Sequence, residues 1–323
     1  MKELIKVKTM ESSKRLRIEF MIGNYCNFKC TYCGPYANGG DTRWPKDYNA
    51  LMHNFKHLLD FYVRNGRTEF EVNLLGGEPT LWPKVADFAR DLKKLYNVKV
   101  TITTNGSRTI RWWKKNATAF DKVMFSYHPG QADLPHYINA IDTVYALGIP
   151  TNSLVMMDTA QWDDCIDAIE QMKQSKYSWF VCAMEINPPK YTPEQRKIFK
   201  NHIKRMPPLL RLVKDEYKNI LKGKTKVIFN DGSKKRIERN YLSTNDLNKF
   251  KGWMCNIGIE NINIQKSGQI TGVCGNLVYG EDNLYNLYDP DFVTKFNPKL
   301  VPSVCTKCVC WCQPEQLMTK WKP

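Results

Sequence analysis

The sequence has no window approaching the ~18 consecutive apolar residues of a membrane-spanning helix. Its first residues, Met1-Lys2-Glu3-Leu4-Ile5-Lys6-Val7-Lys8, lack the apolar run of a secretory signal. No repeat of solenoid period and no low-complexity stretch occurs in it. A membrane partner and a repeat array are therefore excluded, and a cytoplasmic globular protein is expected. Acidic residues are outnumbered, 32 against 48 Lys and Arg, for a formal net charge of +16. Residues 190–251 hold 18 of the basic residues and six of the acidic ones, a local excess of +12. Such a concentration either steers an anionic partner or solvates a surface segment. Aromatics do not interleave with it as a base-stacking platform requires, so nucleic acid is not the expected partner.

Eleven cysteines are more than a reduced compartment needs for structure, and nine of them fall in two groups. Cys26, Cys30 and Cys33 follow a strand-like run, Leu16 to Ile22, at C-x3-C-x2-C spacing. A four-iron four-sulfur cluster is normally held by four thiolates, so a tight set of three leaves one iron open to a ligand, as in a catalytic metal site. No further Cys or His follows closely to complete a zinc tetrahedron, and the C-x2-C-x2-C-x3-C-P run of a ferredoxin is absent. The second group is Cys255, Cys274, Cys305, Cys308, Cys310 and Cys312. Cys165 and Cys182 are left over and read as core thiols.

The pattern around the first group is a rhythm of strand, turn and helix. Strands are expected at Leu16–Ile22, Phe70–Leu75, Val98–Thr104, Val123–Tyr127, Thr151–Met157 and Trp179–Ile186. Helical patterns run from Tyr48 to Val63, from near Pro83 to Leu95, from Pro135 to Leu147 and from Trp162 to Met172. Six such units imply an α/β fold, a parallel sheet with right-handed crossovers, and functional residues at the C-terminal strand ends. After Pro188-Pro189 the character changes to basic helices broken at Pro207-Pro208, a hairpin at Asp231-Gly232 and a second hairpin within Asn261–Val273. Residues 1–14 read as a polar lead-in. The expected organisation is a catalytic domain over 1–188, a basic linker region over 189–252 and a small α+β domain over 253–323.

The cysteine triad with Tyr32 before its last member resembles the signature of the radical SAM superfamily, as does Gly76-Gly77-Glu78-Pro79 one strand-helix unit later. That resemblance implies a partial (β/α)6 barrel, an open four-iron four-sulfur cluster, and S-adenosylmethionine bound through its amino and carboxylate groups. It also implies reductive cleavage to a 5'-deoxyadenosyl radical that abstracts a substrate hydrogen, with a flavodoxin- or ferredoxin-like electron donor. In the family Gly76, Gly77, Glu78 and Pro79 would contact the amino group of S-adenosylmethionine. Thr104, Asn105, Ser126 and Asn152 resemble further cofactor positions, against the simpler role of satisfying local backbone. His128 and Glu185, at the ends of the fourth and sixth strands, are the candidate substrate contacts or proton acceptors, and Asp158 is a weaker one.

The second cysteine group resembles a twitch domain, a shortened SPASM domain with one auxiliary four-iron four-sulfur cluster. A full SPASM domain has another cysteine soon after the first, and Asn256–Asn261 contain none. The run Cys305 to Cys312 departs from both patterns, so which of its four thiols ligate stays open, and a zinc knuckle is the plain alternative. The expected substrate is an anionic small molecule. Peptide maturation is the alternative within the family, and a basic zinc-binding nucleic-acid module is the alternative outside it.

Overall fold

The structure is a computed structural model, and it describes residues 2–183, 191–195, 198, 225–237, 241–244, 247–272, 285–310 and 318–323. Among these, two sheets organise the chain. The larger has eight strands. Six run parallel in chain order: β2 (Arg15–Met21), β3 (Glu69–Leu75), β4 (Asn97–Thr104), β5 (Lys122–Tyr127), β6 (Thr151–Met157) and β7 (Ser178–Ala183). β11 (Asn261–Ile264) adds parallel to β2, and β12 (Ile270–Thr271) pairs antiparallel with β11, leaving β12 and β7 as the two edges. Consecutive parallel strands in sequential order require every crossover to lie on the same side.

The crossover helices obey that rule. α2 (Tyr48–Arg64), α3 (Val85–Leu95), α4 (Ile110–Asn116), α5 (Leu134–Ala146) and α6 (Trp162–Met172) bury residues in one core with Leu16, Ile18 and Phe20 of β2 and Val72 and Leu74 of β3. Phe20 touches Phe55 of α2 and Phe88 of α3 with ring centroids 5.9 and 5.7 Å apart, pairs that add about 0.5–1.5 kcal/mol each beyond their area. α2 starts at Asp47, whose side chain accepts from Ala50 N at 2.9 Å, and stops before Gly66, which takes a φ of +82°.

Strands buried on both faces usually read as unbroken apolar runs. Here they alternate, because the face without helices carries polar side chains. Glu19, Asn73, Thr101 and Ser126 on that face are all buried. Arg17 Nε donates to Glu19 at 2.5 Å, Asn73 Nδ2 to Glu19 at 2.7 Å, and Thr103 Oγ1 to Asn73 Oδ1 at 3.3 Å. A polar row thus crosses β2, β3 and β4 where a second helical layer would otherwise sit.

The six expected strands each fall on an observed one, and the last is described only to Ala183. Other elements were not legible, α4 and β1 among them. α4 is short and buries only Trp113 and Asn116, so its sequence shows no apolar stripe. The lead-in at residues 1–14 holds β1 (Leu4–Thr9), whose partners lie far along the chain: β8 (Thr225–Phe229) on one side and β14 (Lys320–Trp321) on the other. With β9 (Lys234–Ile237), β10 (Met254–Cys255) and β13 (Ser303–Val304) they form the second sheet, in the order β13-β10-β14-β1-β8-β9. Both expected hairpins are present, β8 with β9 and β11 with β12.

Candidate active site

The cysteine loop leaves the C-terminal end of β2 and is clasped by its own return. Asn24, fully buried, accepts from Thr42 N through Oδ1 at 2.9 Å, donates its own N–H to Thr42 O at 2.8 Å, and bonds Asp41 through Nδ2. Within the loop Cys33 N donates to Cys30 O at 3.1 Å, and Asn38 Nδ2 to Phe28 O at 3.0 Å.

The loop after β3 locks onto it. Gly77 N donates to Gly23 O and Glu78 N to Tyr25 O, both at 2.9 Å. Gly76 sits at φ +143°, where a Cβ would press on Gly23 O, and a Cβ on Gly77 would press on Tyr25 O and approach Tyr25 C to 2.5 Å and Asn24 C to 2.7 Å. Glycine is needed at both positions because two backbones meet there. Glu78 is buried behind Pro79 and joins the next strand end. Its carboxylate accepts from Thr80 N at 3.0 Å, Thr80 Oγ1 at 2.5 Å, Thr104 Oγ1 at 2.8 Å and Asn105 N at 2.6 Å. Burial pushes its pKa up, and these donors oppose that shift.

Strand ends four and five complete the enclosure. Asn105 Nδ2 donates to Asn27 Oδ1 at 3.0 Å and reaches Cys26 Sγ at 3.8 Å. His128 stacks on Tyr32 with centroids 5.9 Å apart and planes 9° from parallel, and its Nδ1 is 2.8 Å from Tyr32 Oη and 3.5 Å from Cys30 Sγ. Gln131 Oε1 accepts from Lys29 N at 2.9 Å. Burial lowers the His128 pKa to about 4, which keeps the ring neutral near pH 7.

Tyr32, Gly76, Gly77, Glu78, Pro79, Thr104, Asn105 and His128 therefore all gather around Cys26, Cys30 and Cys33. Ser126 lies on the polar sheet face two residues before His128, buried beside Leu154 of β6 in register. Asn152 is not gathered in. It stands near the N-terminal end of β6, where its amide, turned to satisfy both neighbours, puts nitrogen 3.0 Å from Thr151 O and oxygen 2.9 Å from Lys122 Nζ. Asp158 caps a turn, accepting from Ala160 N at 3.0 Å. Glu185, Cys274 and Cys312 lie outside the described residues. Asn27, Tyr25 and Gln131 belong to the site and had no sequence signal beyond adjacency to a motif.

The donor set suits an iron–sulfur cluster. All described cysteines are free thiols. Burial pushes the pKa values of Cys26, Cys30 and Cys33 up, and the charge of neighbouring cysteines adds to that shift. Phe28 N, at 3.4 Å, and Asn105 Nδ2 offer Cys26 Sγ the N–H donors that tune a ligating sulfur. Each thiolate of such a cluster binds its own iron, and among the described residues no three His, Cys, Asp or Glu side chains converge to hold a single metal ion. No described helix is long and apolar enough to cross a membrane.

Of the described C-terminal thiols, one lies on the second sheet and one directly beyond its edge strand. Cys255 is on β10, Cys305 directly follows β13, and Cys310 N donates to Asn248 O at 2.8 Å. All three are buried, while Cys308 is exposed.

A family model described as the Radical SAM superfamily matches residues 20–172. The chain is similar to the GTP 3',8-cyclase of Haemophilus influenzae, 27% identical over 154 residues that cover 43% of this chain and 44% of that protein. It is similar also to the GTP 3',8-cyclase of Vibrio vulnificus, 26% identical over 157 residues, 44% of this chain and 46% of that protein. The chain thus spans less than half the length of these curated relatives. In fold it is similar to native anSMEcpe with bound AdoMet, with a TM-score of 0.51 and 17% identity over 88% of this chain and 80% of that one. The same protein with AdoMet and Cp18Cys peptide gives a TM-score of 0.50 at 16% identity, over 88% and 81% of the two chains. Residues 20–172 of this chain are thus the part similar to the Radical SAM superfamily.

Proposed function

We propose that the chain is a radical SAM enzyme that removes a hydrogen from an anionic small molecule, with an auxiliary cluster in its C-terminal segment. The observation that carries the proposal is the backbone lock between the cysteine loop and Gly76-Gly77-Glu78, which brings both motifs to one end of the sheet. Cys26, Cys30 and Cys33 would hold a four-iron four-sulfur cluster with one iron open to S-adenosylmethionine. Bound there, cluster and cofactor supply a 5'-deoxyadenosyl radical when a flavodoxin- or ferredoxin-like donor delivers one electron.

The chain's own residues set the surroundings. Tyr32 and His128 fix Cys30 from the side of β5, and Asn105 fixes Cys26 from the end of β4. Glu78 ties the ends of β3 and β4 together, so the residues that would line a bound cofactor are held in place before it arrives. The polar sheet face from Arg17 to Ser126 offers a substrate hydrogen-bonding groups instead of a packed core. Support for an anionic substrate comes from the basic excess over residues 190–251 and from the nucleotide, GTP, in the names of the curated relatives.

Support for the auxiliary cluster comes from three buried thiols, Cys255 on β10, Cys305 directly after β13, and Cys310, whose N–H donates to Asn248 O. Iron and acid-labile sulfide counted after anaerobic reconstitution test it. About eight irons are expected in the wild type, about four in a Cys26, Cys30 and Cys33 triple alanine variant, and about four in the corresponding Cys255, Cys305 and Cys310 variant. Zinc in place of iron would refute the proposal.

A further inference from the structure

The loop that follows β4 carries the site outward to an exposed cationic face. Asn105 Nδ2 donates to Asn27 Oδ1 at 3.0 Å and Ser107 Oγ to the same oxygen at 3.3 Å, and Asn27 directly follows Cys26. Arg108 comes next. Its backbone oxygen lies 3.1 Å from His136 Nε2, its Cζ stands 5.3 Å from the centroid of the Trp112 ring, and its Nε is buried without a hydrogen-bond partner among the described residues. α4 then buries Trp113 and Asn116 and leaves Arg111, Lys114 and Lys115 exposed. Those three stand at i, i+3 and i+4, so they share one face of the helix. Lys29, exposed in the cysteine loop, is held to Gln131 through its backbone N–H. Among the described residues none of these five cations has an ion-pair partner. The acids nearest in the chain are engaged elsewhere: Asp133 accepts from His136 N at 2.7 Å, and Asp121 pairs with Lys93 at 3.1 Å.

Cations gathered without carboxylates beside them raise a positive field that draws in an anionic partner. A tryptophan braced by an arginine inside a charged rim is the composition of a protein interface. We propose that Arg108, Lys29 and the exposed face of α4 dock the electron donor, an electron-transfer protein of acidic surface. The assignment rests on the radical SAM reading above, which calls for one electron at the cluster. Position supports it, because Asn105 Nδ2 reaches Cys26 Sγ at 3.8 Å and Arg108 lies three residues beyond Asn105. On docking, the donor is oxidised by one electron and the cluster reduced by one, and no bond forms or breaks. Encounters of this class are small, transient and weakened by salt. A second copy of this chain, itself at net charge +16, would be repelled from such a face.

The test uses the full chain with an acidic flavodoxin and an acidic ferredoxin as probes, binding being followed by surface plasmon resonance at low and at high salt. One variant carries Arg111→Gln, Lys114→Gln and Lys115→Gln on α4, and a control carries Lys234→Gln, Lys235→Gln and Arg236→Gln on β9, the same loss of charge at a distant strand. With at least one probe the association rate should fall about tenfold or more in the α4 variant and stay within about twofold of the wild type in the control. Reduction of the reconstituted protein by that probe should slow in parallel, while reduction by dithionite should not. Carbodiimide cross-linking of the wild type to the probe should join Lys29, Lys114 or Lys115, which locates the contact if the α4 variant does not fold. Equal weakening in both variants, cross-links only elsewhere, or binding of a single-stranded oligonucleotide but of neither protein would overturn the docking site, as would no binding at all. Dithionite-driven release of 5'-deoxyadenosine separates the two readings: nucleoside without docking on α4 overturns the docking site alone, and no nucleoside from iron-loaded protein overturns both.

Discussion

Two glycines that bracket the site make opposite demands on a methyl group. On Gly77 a Cβ would meet Tyr25 C at 2.5 Å and Asn24 C at 2.7 Å, and both are backbone atoms with no rotamer to escape into. On Gly34, directly after Cys33, a Cβ would meet nothing within 4 Å, and φ is already −62°. In Gly77→Ala the two loops must separate by about 1 Å to reach ordinary contact, at an overpacking cost of about 1–3 kcal/mol. That movement also lengthens the Gly77 N–Gly23 O and Glu78 N–Tyr25 O bonds, worth about 1 kcal/mol each. The total is about 3–5 kcal/mol, or a fall in Tm of about 6–20 °C for a domain above 150 residues. Gly34→Ala should instead be neutral or stabilise by about 0.4–1 kcal/mol through the unfolded chain. Thermal denaturation of the two variants beside the wild type, with iron counted on each, measures both effects. If Gly77→Ala melts with the wild type and binds as much iron, the two loops are not locked as described.

Three further outcomes follow from other parts of the site and its frame. Glu78→Gln keeps the shape but turns an amide toward Asn105 N, leaving a buried N–H unpaired; a loss of about 1–3 kcal/mol is expected in denaturant unfolding. Tyr32→Phe keeps the ring on His128 and removes the 2.8 Å bond to Nδ1, so stability should fall by about 0.5–1.5 kcal/mol while Tyr32→Ala falls further. Lys94 at 2.7 Å and Tyr48 at 2.6 Å hold the Asp91 carboxyl below the usual carboxylate range. A lowered folded pKa stabilises above the unfolded value of about 3.9 and that stability is lost as pH falls through the folded one. Asp91→Asn should therefore melt slightly below the wild type at pH 7, with the gap closing below about pH 4.

The larger sheet was legible because each strand and its crossover helix are neighbours in sequence, and because alternation marks strands that have helices on one face only. Of the second sheet only the hairpin of β8 and β9 was. Leu4 and Val7 of β1 find their partners at Phe229, Val227 and Lys320, more than two hundred residues on, and no local pattern records such pairings. The cysteine triad could be read from its spacing, and Gly76–Pro79 from its resemblance to a family motif one strand-helix unit after the triad. What spacing could not give is how they are joined. Asn105 and His128 were candidate cofactor and substrate contacts by position, and their described bonds to Cys26, Asn27, Cys30 and Tyr32, with that of Asn105 to Glu78, also brace the cysteine loop. Asn152 had a similar polar, strand-edge signature but sits at the wrong end of its strand, a distinction that strand polarity decides and composition does not.

The most direct test of the central claim is the release of 5'-deoxyadenosine from S-adenosylmethionine by reconstituted, reduced protein, compared with the Cys26, Cys30 and Cys33 triple alanine variant. Nucleoside from the wild type and none from the variant is the predicted result. No nucleoside from wild-type protein fully loaded with iron, or equal amounts from both, would contradict it.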